Sequence, residues 1–567
     1  MTSDYFTREI VKHHLVAASD EMMGALRRCS MSPIIYETLD FAVGVTDASG
    51  NLITQGNGVT GFLGTLDAAV GSVVAKHQRI EPGDVFITND PYTGGGTHLS
   101  DVSLVMPVFF DGRIVAYVVN KAHWTEVGGK DPGSWTTDAT EVYQEGLRFP
   151  CLRLFGRGQP SAALLELIAS NVRFPEMTLG DLWAGVAALH VGERRIGALC
   201  RRHGAATFKD ACTHLLDASE AAVRGELAAL PQGSFEAEDY IDDDGVSSGP
   251  LRVRVKVTIT DSDFICDFSG SHAEAPGPVN GTRSGLVSSV RTVFKAVTGP
   301  QLPVNHGSFR PLVVICPDRT VFTAAPPAPV STYWESLEYA TDLVWKALAP
   351  HVPERLPAGY LLSVCGTIVS GMNPDTGEPY LLVEPLVGGW GAGCGKDGEN
   401  GQFCAGDGET YNVPVEVAEA RHGLLVEQYA LHSENGGAGT FRGGKGVVLD
   451  YRVLGRGAEV TASFGRHKYP PWGLAGGQAG SRNYIELWRA DGGRAVTGKL
   501  ARARLAPGDV VRLVTATGGG YGPPENRPQA KVIDDIKNGY VTLEQAVRDY
   551  GFEPPVTNGD EGSTKVD

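Results

Sequence analysis

The chain has 567 residues, a formal net charge of −17 and a hydrophobic content of 42%. The acidic balance excludes a coat for nucleic-acid phosphates and adsorption to an anionic membrane surface, and the apolar content excludes disorder over most of the chain. The length implies three or four folded units, while 73 glycines and 34 prolines imply many turns and short strands.

In chain order, residues 4–28 are predicted helical, with Ile10, Leu15, Ala18, Met22, Ala25 and Leu26 at helical spacing. Residues 40–56 form a β-hairpin around Ser49-Gly50-Asn51, with Asp40 at its start. A helix over 61–79 and a strand over 84–89 lead into the loop NDPYTGGGTHLSD (89–101). The runs SLVMPVFF and RIVAYVVNKAH follow, joined by Asp111-Gly112, a strong hairpin signal. A second glycine-bearing loop spans 128–135. Residues 160–200 and 205–230 carry helical periodicity.

After Pro231 the pattern changes. LRVRVKVTIT (251–260) alternates with period two and predicts a strand. Residues 284–298 and 333–349 predict helices. From about 380 to about 515, glycine-dense turns alternate with short β-runs. Residues 534–551 hold a short helix, with Thr542 and Gln545 at capping-box spacing. Residues 553–567 are expected to form a disordered tail. The expected organisation is α+β and multidomain with mixed sheets. It comprises an N-terminal α/β metal-site domain over 1–230, a mixed middle domain over 231–380, a β-rich glycine-dense domain over 381–525, and a terminal helix with its tail over 526–567.

No run of about 18 apolar residues occurs, so no transmembrane helix is expected. The N-terminus, MTSDYFTREIVKHHL, lacks the apolar core of a secretory signal. Nine scattered cysteines without a CxxC pair fit reduced thiols in a cytoplasmic setting rather than a disulfide framework or a cysteine zinc site.

One stretch holds candidate metal ligands: His98, Asp101 and His123. His98 and Asp101 are three residues apart, within reach of one point. A two-residue turn at Asp111-Gly112 places Ala122 opposite Asp101 and Ser100 opposite His123, with opposed Cα atoms roughly 4.5–5.5 Å apart. The hairpin thus brings Asp101 and His123 together at its base. Two imidazoles and a carboxylate suit Zn²⁺, Mn²⁺ or Fe²⁺ and leave positions open for water or substrate. Asp40 could add a fourth ligand. Taken singly, each residue also fits a bland role: a solvated turn histidine, a turn cap, a strand-end histidine.

Other marks carry less. GTFRGGKG (439–446) nearly matches a phosphate-binding loop, but Gly446 stands where Ser or Thr is required and no helix follows. TGGGYGPP reads as a chain reversal, DDDG (242–245) as a solvated turn, and His13 and His14 as surface residues. Glu126, Glu141 and Glu145 are candidate proton carriers, or else exposed carboxylates or partners of Arg148. No cysteine has a local catalytic signature.

GDVFITNDPYTGGGTHLSDVSLVMPVF, NKAHWTEVGGKDPGS and ATEVYQEGLRFP together resemble the hydantoinase B family. The likeness continues through GGWGAGCGKDGENG, ENGGAGTFRGGKG, TATGGGYGPPENR and NGYVTLEQAVRDYG, and so covers nearly the whole chain. That family includes the β subunits of ATP-dependent hydantoinases and lactamases, the matching half of 5-oxoprolinase, and metal subunits of acetone and acetophenone carboxylases. The resemblance implies metal ligands at His98, Asp101 and His123 with Asp40 as a further one, a Zn or Mn ion, and a larger hydantoinase A-type partner that binds ATP and Mg in a hetero-oligomer such as α2β2. It implies that the partner phosphorylates the carbonyl oxygen of a cyclic amide and that water activated at this subunit's metal opens the ring. Glu126 or Glu141 is the expected proton carrier.

The main alternative is the metal subunit of an ATP-dependent ketone carboxylase, which the chain length disfavours. A scaffold with a vestigial site is disfavoured by the intact ligand set. A non-haem iron oxygenase is disfavoured by the HxxD spacing and the absence of a jelly-roll pattern.

Overall fold

The computed structural model describes residues 4–554 except Ser248 and Asn435, so the expected tail falls, from residue 555 onward, outside the described residues. The described residues form a mixed α+β arrangement with four sheets. The first has seven strands, all antiparallel. Their order is Leu52–Gln55, Phe41–Asp47, Arg113–His123, Asp101–Phe110, Val85–Thr88, Leu152–Gly156, Gln159–Pro160.

Helices cover both faces of this sheet, which is why its central strands read as unbroken apolar runs. On one face Val43, Leu104, Met106 and Val118 pack against Leu15 and Met22 of helix Tyr5–Cys29 and Leu182 and Leu189 of helix Pro175–His203. On the other, Ala42, Val105 and Val119 pack against Phe62 and against Leu66, Val70 and Val73 of helix Leu66–Lys76. Side chains alternate along a strand. Asp101 therefore shares the second face with Val105, and His123 shares it with Val119.

The first helix begins where Asp4 accepts a hydrogen bond from the Thr7 N–H. Its buried stripe runs through Val11, Leu15, Ala18, Met22 and Leu26. Ile10, expected in that stripe, is 41% exposed, because the period passes through Val11 instead. At the far end, Thr542 and Gln545 form both halves of the capping box that opens helix Leu543–Tyr550.

The second sheet orders Leu312–Ile315, Phe264–Asp267, Leu251–Ile259, Gly233–Ile241, with only the first pair parallel. Leu251–Ile259 alternates strictly between buried and outward positions. Gly233–Ile241 carries no clear strand signal in the sequence, because Glu236, Glu238 and Asp239 give it the look of a charged loop. The third sheet joins Pro379–Glu384, Gly366–Met372, Ala458–Ser463 and Lys499–Leu505. The fourth joins Leu424–Leu431, Val447–Val453, Val510–Val514, Tyr484–Trp488 and Arg494–Thr497. One apolar core extends from Val223 to Ala516, and helix Trp334–Leu348 is buried on nearly every side within it.

The glycine-dense segments lie backbone against backbone. Gly389 N–H donates to the Ala516 carbonyl at 2.8 Å, Gly444 N–H to Trp390 at 2.8 Å, and Gly518 N–H to Gly444 at 2.9 Å. A Cβ on Gly389 would stand 2.2 Å from the Gly444 oxygen, and one on Gly518 2.0 Å from the Trp390 oxygen. The near phosphate-loop motif belongs to this packing. Lys445 is buried with its Nζ 3.0 Å from the Glu434 carbonyl, and strand Val447–Val453 follows it. No helix of the described residues is long and apolar enough to cross a membrane. All nine cysteines are unpaired.

Candidate metal centre

The hairpin turn has Asp111 and Gly112 at φ of 48° and 72°, both left-handed, the conformation a two-residue turn between twisted strands requires. Beside the turn the pairing is as expected, with Phe110 opposite Arg113 and Phe109 opposite Ile114. The register then shifts: Val108 faces Ala116, which leaves Val115 as an extra residue. From there to the base of the hairpin every pair differs by one from the expected pairing, and Asp101 faces His123 rather than Ala122. The difference decides the chemistry. A slip of one residue turns a side chain to the other face. In the unbulged register Asp101 and His123 would lie on opposite faces.

His98 returns to the same point from the glycine loop. Asn89 pins that loop by donating to the Leu99 carbonyl at 2.7 Å and the Leu147 carbonyl at 2.9 Å, while its Oδ1 accepts from the Phe149 N–H at 2.6 Å. His98 Nε2 then lies 2.9 Å from Asp101 Oδ1 and 3.1 Å from His123 Nδ1, and His123 Nδ1 lies 3.2 Å from Asp101 Oδ1. All three side chains are buried.

The donor chemistry of this triangle fits a cation. His98 Nδ1 is 3.1 Å from the Ser331 carbonyl, which can only accept, so the proton sits on Nδ1 and Nε2 presents a lone pair to the cluster. Asp101 Oδ1 presents lone pairs to the same point. Donor atoms sharing one ion at bonds of about 2.1 Å stand roughly 3.0 Å apart at right angles and ~3.4 Å apart at tetrahedral angles. Two of the edges, 3.1 and 3.2 Å, fall within that span and the third, 2.9 Å, just below it. His123 Nε2 is buried without a hydrogen-bond partner among the described residues. His98, Asp101 and His123 could therefore hold a metal ion.

Outer contacts hold the triad. Glu145 Oε1 accepts the N–H groups of Val330 (2.7 Å) and Ser331 (2.8 Å), which fixes the carbonyl that orients His98. Burial pushes the Glu145 carboxyl up to about 8, against the pull of those two N–H groups. Thr97 Oγ1 donates to Asp101 Oδ2, and Lys121 Nζ donates to Thr97 Oγ1 at 3.2 Å and to the Gly95 carbonyl.

Beside the triad lies a cavity of about 60 Å³, room for a few water molecules. The His98 ring lies 5.0 Å from Tyr333 and 5.8 Å from Trp334 between centroids, and Trp334 stacks on Trp135 at 4.7 Å. Three further carboxyls line the space: Asp40, Glu384 and Asp407. Each is pushed up to about 7, primarily by burial. For Asp40 the charge of His123 opposes this, while Asp101 and Asp407 add to it. Asp40 Oδ2 lies 3.9 Å from His123 Nδ1, outside the tight triangle but on the same cavity. Glu384 is occupied by Asn412, Val413 and Tyr451. Asp407 Oδ2 is buried with no hydrogen-bond partner among the described residues.

The other expected proton carriers lie elsewhere. Neither Glu126 nor Glu141 lines the cavity. Glu126 is buried against Arg173, with Oε2 2.9 Å from Nη1 and Oε1 on the Arg173 N–H. Glu141 is exposed, just before the short turn Val142–Gln144. Glu145 is neither exposed nor paired with Arg148, which stacks over Tyr92. Asp40 approaches the triad without closing on it. DDDG is no solvated turn either: Asp242 is buried and accepts from the His467 and Lys468 N–H groups, and Asp243 meets Lys468 and Lys499. His13 and His14 are exposed as expected. Tyr333, Trp334, Glu384 and Asp407 had no local signal, since each reaches the cavity from more than two hundred residues away. Lys121 had one: a lone lysine inside an apolar strand.

Against known proteins, the chain matches the model of the family described as Hydantoinase B/oxoprolinase over residues 4–524. An uncharacterized protein of Methanocaldococcus jannaschii is 34% identical, covering 96% of this chain and 96% of its own length. The caprolactamase subunit beta of Pseudomonas jessenii is 30% identical, covering 97% of this chain and 96% of its own. The crystal structure of an ATP-dependent caprolactamase from that organism superposes with a TM-score of 0.90 at 28% identity, covering 97% of this chain and 96% of that one. A nucleotide-free acetone carboxylase structure gives a TM-score of 0.89 at 18% identity, covering 96% of this chain and 79% of that one, a likeness of fold alone.

Proposed function

This chain belongs to the hydantoinase B/oxoprolinase family, and from that premise we propose that it is the metal-holding subunit of a two-component, ATP-dependent cyclic-amide hydrolase. The proposed substrate is a lactam, hydantoin or 5-oxoproline-like ring. The proposed partner is a hydantoinase A-type subunit that binds ATP and Mg, in a hetero-oligomer such as α2β2. The reading draws support from the likeness to caprolactamase subunit beta. The observation that carries it is the buried His98–Asp101–His123 triangle beside a cavity whose walls hold three raised carboxyls.

A ring amide resists water because its carbonyl carbon is a weak electrophile and its nitrogen a poor leaving group. Phosphorylation of the carbonyl oxygen by the partner removes the first obstacle. The second step then needs a nucleophile near neutral pH and a proton for the departing nitrogen. His98, Asp101 and His123 would hold a divalent ion, Zn²⁺ or Mn²⁺, with Asp40 as a fourth ligand. Such an ion supplies Lewis acidity that brings the pKa of water near 7. Asp407, with one free oxygen in the cavity wall, takes the proton from the attacking water and returns it to the ring nitrogen. The tetrahedral carbon then collapses with cleavage of the C–N bond, its hydroxyl proton going to the departing amine. The acyl phosphate left behind is hydrolysed by a second water to the carboxylate and inorganic phosphate. Trp135, Tyr333 and Trp334 give the ring an apolar wall and restrict bulk water.

The test is co-expression with the large-subunit partner, followed by screening of cyclic amides and ketones for substrate-dependent ATP hydrolysis. The expected result is turnover on a lactam or hydantoin that releases the open-chain amino acid and needs no bicarbonate. Turnover that requires both a ketone and bicarbonate would replace this reading with a carboxylase.

A further inference from the structure

Lys121 is fully buried in strand Arg113–His123, two residues from His123 and on the same face. Among the described residues it forms no ion pair. Its Nζ donates to the Gly95 carbonyl and to Thr97 Oγ1 at 3.2 Å, and it lies 5.3 Å from the Phe62 ring centroid. A buried ammonium without a counter-ion in contact is costly to retain. The nearest use for its charge is one hydroxyl away: Thr97 Oγ1 donates to Asp101 Oδ2.

The order of donors in this chain is forced. An ammonium has protons and no lone pair. Thr97 must therefore accept from Lys121, and its single proton is left for Asp101 Oδ2. That oxygen is then occupied, and Oδ1 alone faces His98 Nε2 and His123 Nδ1 at 2.9 and 3.2 Å. Without Lys121 the hydroxyl is free to turn away, and both carboxylate oxygens become available to an ion.

We propose that Lys121 is a positioning residue of the metal centre, acting through Thr97 to hold Asp101 as a single-oxygen ligand. The inference rests on the reading of the triad as a metal site. It accounts for a fully buried lysine in a strand whose middle, from Ile114 to Val119, is apolar. It also gives the glycine loop a role, since Gly95 shares the same ammonium. One-oxygen ligation keeps an additional coordination position open for substrate.

The experiment is titration of Co²⁺ into the metal-free full-length chain, against a competing chelator and with visible absorption recorded. The variants are Lys121→Met, Thr97→Val, Thr97→Ser and the double Lys121→Met/Thr97→Val. Both Lys121→Met and Thr97→Val should weaken Co²⁺ binding by about 10- to 100-fold and change the absorption spectrum. Thr97→Ser should match wild type. The double variant should lose no more than the weaker-binding single, because both lesions cut one chain. If Lys121→Met does not fold, Lys121→Ala takes its place, alone and combined with Thr97→Val. Wild-type affinity and spectrum in the Lys121 variant or in Thr97→Val, or losses that multiply in the double variant, would overturn the proposal and leave the metal reading standing. A wild-type chain that takes up no Co²⁺ would overturn both.

Discussion

Asp101 Oδ1 lies 3.2 Å from His123 Nδ1 because the two residues are directly opposed across the hairpin, a pairing that exists only on the far side of the bulge at Val115. With His98 Nε2 at 2.9 Å from the same oxygen, three donor atoms converge in a buried place. Removing the ion should therefore be felt by the whole fold. At a metal concentration 100-fold above Kd, binding adds about 2.7 kcal/mol to stability. A strong chelator is expected to lower the melting temperature of wild type and to leave that of His123→Ala unchanged. The same variant should lose its metal on purification, read by elemental analysis. Equal metal in both proteins would remove the triad from the ion.

Asp407 is predicted to act on the reaction and not on metal retention. Burial raises its carboxyl to about 7, and a divalent ion in the triad would draw it lower. As a base it must be ionised, so the activity of the two-component enzyme should rise with pH through a limb at or just below that value. Asp407→Asn should lose that limb and about 10²- to 10⁴-fold in turnover, while keeping the wild-type metal content. An unchanged pH profile in this variant would assign the proton transfer to another group.

His467 offers a test of stability away from the site. Burial works to lower it, but Asp242 and Asp243 on either side raise it to about 9, with Lys468 and Lys499 also bearing on Asp243. The folded value lies above the ordinary histidine value, so its contribution is complete below about pH 6.5 and is lost as pH rises toward 9, with an upper bound of ~3.4 kcal/mol. The gap in unfolding free energy between wild type and His467→Gln should close over that interval. A gap that widens with pH would contradict the ion pairing.

Trp135 is 4% exposed, stacks on Trp334 and lies in one cluster with Ile368. Trp135→Ala should cost about 3–5 kcal/mol in unfolding experiments, the usual loss for a buried aromatic side chain. It also takes away one wall of the cavity. In the reconstituted enzyme, KM for the smallest ring accepted should rise while bulkier rings are better tolerated; a uniform loss for all rings would mean a purely structural role.

Much of the site was legible where its signals are local. Asp111-Gly112 encodes its own turn, the HxxD spacing needs only one loop, and the hairpin carries His123 to the other two. The register was not legible, since nothing in RIVAYVVNKAH marks Val115 as the surplus residue; the bulge is settled by packing on both faces of the sheet. Glu126 and Glu141 looked suitable because they are near His123 in the chain, yet Arg173 claims the first and solvent the second. Asp407 and Tyr333 were invisible for the converse reason. Their nearness to the triad is a product of the third dimension, and their neighbours in sequence say nothing of it.

The interleaved glycines around Gly389 and Gly518 bear on how kinship in this chain should be weighed. Where two main chains touch, the third strand of evidence a biochemist usually trusts — an unvarying residue — measures the width of a gap and not a step in a reaction. Any descendant that keeps these loops folded must keep them bare, whatever ring it opens. Differences in substrate among such proteins are therefore to be sought in the side chains around the triad, where there is still room to vary.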